Sequence, residues 1–218
     1  DQNFYANMQT RYSGKVPVDC QLLLGPRYAL LREEFRKLRK QIKPRLGKVK
    51  RILVFFGGVD ADNFTSLAIG ALAMMSNALQ DDVLLGAQNP YREQVQNACM
   101  FHGFFFHEQT LRMAELMADA DLAIGAGGSA SWERCCLGLP TLLVALAVNQ
   151  VDIAKALDSI GACVYIGTKE SVNLLTLQQA ITNLLATHDK LENTSRHALS
   201  LVDGMGVSRV CQELGLLK

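Results

Sequence analysis

The sequence predicts an α/β protein built on a doubly wound parallel sheet. Three observations predict it. From residue 51 onward, short apolar runs alternate with amphipathic stretches long enough to be helices. The runs are apolar from end to end, as strands covered by helices on both faces require. Glycine-rich turns close two of them, Gly57-Gly58 and Gly125-Ala126-Gly127-Gly128, at the strand ends where such sheets hold ligands.

Residues 1–27 show no sustained periodicity and are broken by Gly14, Pro17 and the Gly25-Pro26 pair, so the chain is expected to begin irregularly. Tyr28, Leu30, Leu31, Phe35, Leu38 and Ile42 then recur near helical spacing, with charged residues on the other face and Pro44 as the stop. The strands expected after this helix are 52–56, 82–86, 104–106, 121–126, 141–145 and 163–167. Between and after them the pattern predicts helices at 63–79, 90–100, 109–119, 129–138, 150–160 and 174–186. The tail from His188 to Lys218 has room for one or two more helices, with a break at Gly204 and Gly206.

Composition narrows the function classes. The 22 Lys and Arg nearly cancel the 21 Asp and Glu, so no global field draws in nucleic acid or an anionic membrane. The basic run from Arg36 to Arg45 has no interleaved aromatic residues for base stacking and reads as the solvated face of a linker helix. The six cysteines form no C-x-x-C pair and no zinc-like cluster with histidine, which leaves buried free thiols and no metal. No secretory signal and no uncharged stretch of membrane-spanning length is present, so a cytoplasmic location and no membrane contact are expected.

Two strand-to-helix turns could carry chemistry. In the first, FFGGVDADN at 55–63, Gly57 and Gly58 allow a ligand to approach the backbone, and the amides that open the next helix favour an anion. An ordinary tight turn, with Asp60 or Asp62 as helix cap, explains the same residues. In the second, GAGGSASWERCCLGLP at 125–140, the glycines close a strand and Ser129 or Ser131 can cap the following helix. Glu133 follows by about one turn, and a carboxylate there can accept both hydroxyl hydrogens of a ribose diol or simply pair with a nearby base. Asn149 and Gln150 end the fifth strand, where Asn149 is either a helix cap or a group that meets a sugar or a water.

Other chemistries lack their signatures. The turn at 125–128 is not a dinucleotide fingerprint, since Ala130 replaces the third glycine and the turn follows the fourth strand. Neither a Walker lysine motif nor a G-x-S-x-G elbow occurs, and His102, His107, His188 and His197 have no evident catalytic partner.

The blocks LLGPRYALLREEFR (23–36), ILVFFGGVDADN (52–63), MADADLAIGAGGSASWERCCLGLP (117–140) and the Asn149-Gln150 pair resemble the nucleotide-sugar-binding, Rossmann-like half of GT-B proteins such as MurG. They are more similar still to the family of UDP-2,4-diacetamido-2,4,6-trideoxy-β-L-altropyranose hydrolases of pseudaminic acid synthesis. The resemblance implies residues 1–50 as the end of an N-terminal domain with its linker and linker helix, 51–187 as a UDP-binding domain and 188–218 as a helical tail. It implies that Gly57, Gly58 and Val59, with Gly127, Gly128 and Ser129, take the diphosphate through backbone amides. Glu133 would hold the ribose, backbone near Phe104 would meet the uracil, and Asn149 and Gln150 would stand near the sugar and the attacking water.

The implied reaction is water attack at the anomeric carbon with release of UDP, without a cofactor. The family's general-base histidine belongs to an N-terminal domain, and none of the four histidines here matches its motif. Because the chain starts Asp1-Gln2-Asn3, without methionine, it is expected to be a fragment that binds the UDP-sugar, is inactive alone and has its own N-terminal domain as partner. A glycosyltransferase, a nucleotide-sugar epimerase and a non-catalytic nucleotide-sugar-binding domain are the alternatives.

Overall fold

The computed structural model describes residues 1–5, 7–75 and 79–216. Its strands are β1 (Arg51–Phe55), β2 (Gln80–Leu85), β3 (Phe105–Glu108), β4 (Leu122–Ala126), β5 (Thr141–Ala145) and β6 (Val164–Thr168). All neighbouring pairs are parallel, in the order β3-β2-β1-β4-β5-β6.

Side chains alternate across each strand and divide the core in two. Leu53, Leu84, Ala123 and Leu143 bury on one face, against α1 (Glu33–Arg39), α4 (Met113–Asp119), α5 (Ala130–Cys136) and α6 (Val148–Ser159). Ile52, Val54, Val83, Ile124 and Leu142 bury on the other, against α2 (Phe64–Ala73), α3 (Arg92–His102) and α7 (Leu174–Leu185). Both faces are thus covered, which is why the strands read as continuous apolar runs.

The chain leaves β1 towards β2 on one side and leaves β4 towards β5 on the other, although β1 and β4 are neighbours. Their outgoing loops diverge and open a crevice at their carboxyl ends, the usual ligand position of an open α/β sheet.

Several element boundaries differ from the sequence expectation. The helix expected from Tyr28 is a 3-10 turn, Pro26–Tyr28, then an extended Arg32 and the short α1; Leu30 is 62% exposed and belongs to no apolar stripe. The helix expected over 63–79 ends at Ala73, and its residues 76–78 lie outside the described residues. The strand expected at 104–106 is Phe105–Glu108, and β2 opens with Gln80 and the buried Asp81 and Asp82. The polar Gln80 and Asp81 hid its start from a hydrophobic reading, which began the strand at Asp82; Asp82 is held by Arg51 (2.6 Å) and His107 (2.7 Å).

The tail packs back onto the sheet layers. α8 (His188–Leu201) puts Ala198 into one core and Leu191 into the other, and α9 (Gly206–Glu213) rests on the turn Pro26–Tyr28. The basic run is not all solvated. Arg39 donates to the Leu199 carbonyl (2.9 Å). Arg45 donates to the carbonyls of Met117 (2.9 Å), Ala118 (3.1 Å), Ala120 (3.2 Å) and Leu137, satisfying the orphan carbonyls where α4 and α5 end. The Arg45 amide meanwhile donates to Ser195 Oγ (2.9 Å), which donates to the Gly138 carbonyl (2.5 Å). Burial pulls the Arg45 guanidinium down to about 10.

Four of the six thiols, Cys99, Cys135, Cys136 and Cys163, are buried as expected, whereas Cys20 is exposed and Cys211 half-buried. Burial raises Cys135 to about 12 and Cys136 to about 11, so both stay protonated and unreactive.

Candidate functional site

A cavity of about 420 Å³ occupies the crevice between the ends of β1 and β4. Its walls bring together Gly57 and Gly58 from the first glycine turn, and Gly127, Gly128, Ser129 and Glu133 from the second. Sequence positions separated by about seventy residues therefore face one space because β1 and β4 pair in register, Val54 with Ile124 and Phe55 with Gly125.

Close approach explains the small residues around it. A side chain at Gly125 would run into the Phe55 carbonyl oxygen, and one at Gly86 would overlap the backbone of Gly58. Gly57 (φ 100°) and Gly128 (φ 116°) take conformations that residues with a Cβ rarely adopt. The described non-glycine residues with positive φ are Asp60, Asn63 and Gln109, and all three lie in loops on this carboxyl rim. Such backbone strain gathers at ligand sites, where surrounding contacts hold it.

Glu133 and Arg134 divide the charge of the second turn. Arg134 is 2% exposed and donates to the Ala126 carbonyl (2.5 Å) and to Ser131 Oγ (3.2 Å), tying the end of β4 to α5. Ser129 occupies the N-cap position of α5 but makes no side-chain cap, and Ser131 serves Arg134, so neither is the cap that the sequence suggested. Glu133 is half-buried on the cavity wall. Its carboxylate forms no ion pair with a neighbouring base and no hydrogen bond among the described residues. Burial pushes its carboxyl up, with Arg32 and Arg134 pulling against that shift.

The other expected site residues fall outside these walls. Val59 is 48% exposed on the rim. Phe104 is not near the cavity: it precedes β3, at the amino end of a parallel sheet whose cavity lies at the carboxyl ends, and it packs against the core beside His102. Asn149 is not the cap of α6, a position held by Ala147, but an exposed residue of its first turn. Gln150 does reach back towards the cavity. Its Oε1 accepts from the Leu146 amide (2.9 Å) and its side chain packs behind Gly127.

Three wall residues escaped the sequence reading: Arg32, Thr110 and Met113. Arg32 sits just before α1 and is paired with Glu34 at 2.8 Å. Thr110 follows the carboxyl end of β3, whose register no apolar run marked. Of the histidines with described side chains, none lines the cavity, and His107 is committed to Asp82. No metal-ligating cluster and no helix long and apolar enough to cross a membrane occur among the described residues.

With this geometry in place, comparison with known proteins decides the family. Residues 51–207 match the model of the glycosyltransferase family 28 C-terminal domain. The chain belongs to that family.

The spore coat polysaccharide biosynthesis protein SpsG of Bacillus subtilis (strain 168) is 28% identical over 189 residues, which is 85% of this chain and 56% of SpsG. The chain thus spans little more than half the length of that relative. Among solved structures, MurG of Acinetobacter baumannii superposes with a TM-score of 0.62 at 20% identity, covering 78% of this chain and 53% of MurG. Spinosyn rhamnosyltransferase SpnG complexed with thymidine diphosphate gives 0.58 at 16% identity, over 78% of this chain and 46% of SpnG. These likenesses establish the fold: the six-stranded parallel sheet with its flanking helices is that of the C-terminal domain of GT-B enzymes, and the family domain here runs through α8 and into α9.

Proposed function

We propose that this chain is the nucleotide-sugar-binding half of an enzyme that acts on a UDP-sugar. The observation that carries the reading is the meeting of two glycine turns and one unpaired carboxylate in a single cavity at the β1/β4 crevice. Backbone brought close at Gly58 and Gly128 suits a diphosphate, a group already seen in the nucleotide bound to SpnG. Glu133 is a free double acceptor for the ribose diol, and its partial burial strengthens that bond. Thr110 and Met113 also line the cavity, and at the carboxyl end of β3 they support a seat for the base there. Gln150, behind Gly127, marks the opposite flank, where the sugar and Asn149 would stand.

The reaction we favour is hydrolysis: water attacks the anomeric carbon, the bond to the β-phosphate oxygen breaks and UDP leaves. The motif blocks that resemble the UDP-2,4-diacetamido-2,4,6-trideoxy-β-L-altropyranose hydrolases support it. The amides at 57–58 and 127–129 would stabilise the departing diphosphate. The general base would come from a second domain docked over the cavity. Exposed Val59 and Leu111, on two rim loops, and exposed Val148, the first residue of α6, offer that domain an apolar seat. The family name favours a second reading, transfer of the sugar to an acceptor. Incubating the complete enzyme with a UDP-sugar alone separates them, since a transferase stays nearly idle without acceptor.

Thermal unfolding with and without UDP tests the binding site. UDP at about one hundred times its dissociation constant stabilises the fold by roughly 2.7 kcal/mol. Glu133→Ala should abolish that shift, and an unchanged shift in the variant would remove Glu133 from the site.

A further inference from the structure

We propose that Lys169 is a positioning residue for the phosphate-facing turn Gly57-Gly58 and acts through Asp62; this rests on the nucleotide reading above. Lys169 follows β6, at the edge of the sheet, and Asp62 lies in the loop between β1 and α2. The Lys169 Nζ donates to both carboxylate oxygens of Asp62, at 3.1 Å and 3.0 Å. Neither residue lines the nucleotide cavity. A bond between two loops 107 residues apart therefore has the loop itself as its object.

That loop is gripped from several sides. Gly58 lies against Gly86 at the end of β2, and the Tyr91 hydroxyl donates to the Ala61 carbonyl (3.1 Å). Asp60, buried and at φ 45°, accepts from the amides of Phe64 (2.9 Å) and Thr65 (2.8 Å), which fixes the loop to the start of α2. These contacts come from β2, α2 and α3. Lys169 is the tether from the β6 side, and it spans the crevice edge that the others leave open. The ion pair is solvated, with the Lys169 and Asp62 side chains 38% and 43% exposed, so its weight in global stability is small. Its effect falls on where a strained turn rests before ligand arrives, which is preorganisation of the site.

The test is calorimetric titration of UDP into the 218-residue chain, comparing wild type with Lys169→Met, Asp62→Asn and the exchanged pair Asp62→Lys/Lys169→Asp. Each single variant should bind UDP about three- to fivefold more weakly, the scale of one exposed ion pair. The exchanged pair should recover most of the loss. The gap between wild type and the single variants should close at about 1 M salt, where screening acts over roughly 3 Å. A contact that served the fold alone would lower stability in urea unfolding and leave the UDP affinity of the folded chain unchanged. If Asp62→Asn binds UDP as well as or better than wild type while Lys169→Met weakens it, Lys169 touches the ligand itself and the proposal is overturned. Equal affinities in all four proteins overturn it as well. Failure of the wild type to bind UDP overturns the nucleotide reading and the inference together, and is recognised by the absence of any heat to compare.

Discussion

Glu133 and Arg134, adjacent in the chain, point to opposite fates: Arg134 is 2% exposed beneath the end of β4, and the Glu133 carboxylate faces the crevice with no partner among the described residues. One turn of α5 thus carries both the fastening of the site and its free acceptor.

Because the two residues are separable, their substitutions should be too. Glu133→Gln should leave stability nearly unchanged, since the carboxylate contributes no protein bond. UDP affinity should fall about 10- to 100-fold, the scale of a charge-assisted hydrogen bond. Titration calorimetry beside urea unfolding of the same variant checks both halves.

Arg134→Ala should act the other way round. It strips the Ala126 carbonyl of its donor and leaves a void beside Gly125 and Ser131. A loss of about 3 kcal/mol in urea unfolding is expected. A change under about 0.5 kcal/mol, the level of an ordinary surface substitution, would show that Arg134 is dispensable.

Gly86→Ala tests the close approach of the two loop ends. The added methyl would overlap Gly58, so the first glycine turn must move. UDP affinity should drop even though residue 86 is outside the cavity, whereas Gly103→Ala, which meets open space at its own αL position, should only lower stability.

Asp81 gives a pH dependence with a definite sign. Burial, with Asp82 beside it, raises its carboxyl from 3.8 to about 6. The folded state therefore keeps a proton that the unfolded chain has released. Stability contributed by the neutral acid is complete below about pH 4 and is lost as pH rises towards 6. Asp81→Asn should match wild type at pH 4 and exceed it at pH 7.5 by on the order of 2 kcal/mol, measured by urea unfolding at the two values.

The sheet was legible because burial on both faces writes itself as uninterrupted apolar runs, and because glycine turns punctuate β1 and β4. Glu133 was legible only as a charge set among apolar residues after such a turn. What stayed hidden depends on partners distant in sequence. Nothing near Arg45 announces that its acceptors are the carbonyls of residues 117, 118, 120 and 137. Gln80 and Asp81 disguised the start of β2, which the apolar pattern begins at Asp82, and the buried Asp82 carboxylate is explained only by Arg51 and His107 across the sheet. The place of Phe104 depends on register in the same way. The FFF run marks a strand, but its register shows that only His107 and Glu108 reach the ligand end, opposite Leu84 and Leu85.

The Arg45 clamp also sets an order of assembly. As the chain is synthesised from its amino end, the guanidinium has its last carbonyl acceptor once Leu137 has emerged, before β5 and β6 exist. The amide of the same residue must wait for Ser195, in α8, which is made only after β5 and β6. Until then the junction between α5 and β5 lacks its hydroxyl bridge at Gly138, so the sheet half that begins with β5 is sealed from behind only after α8 has followed it.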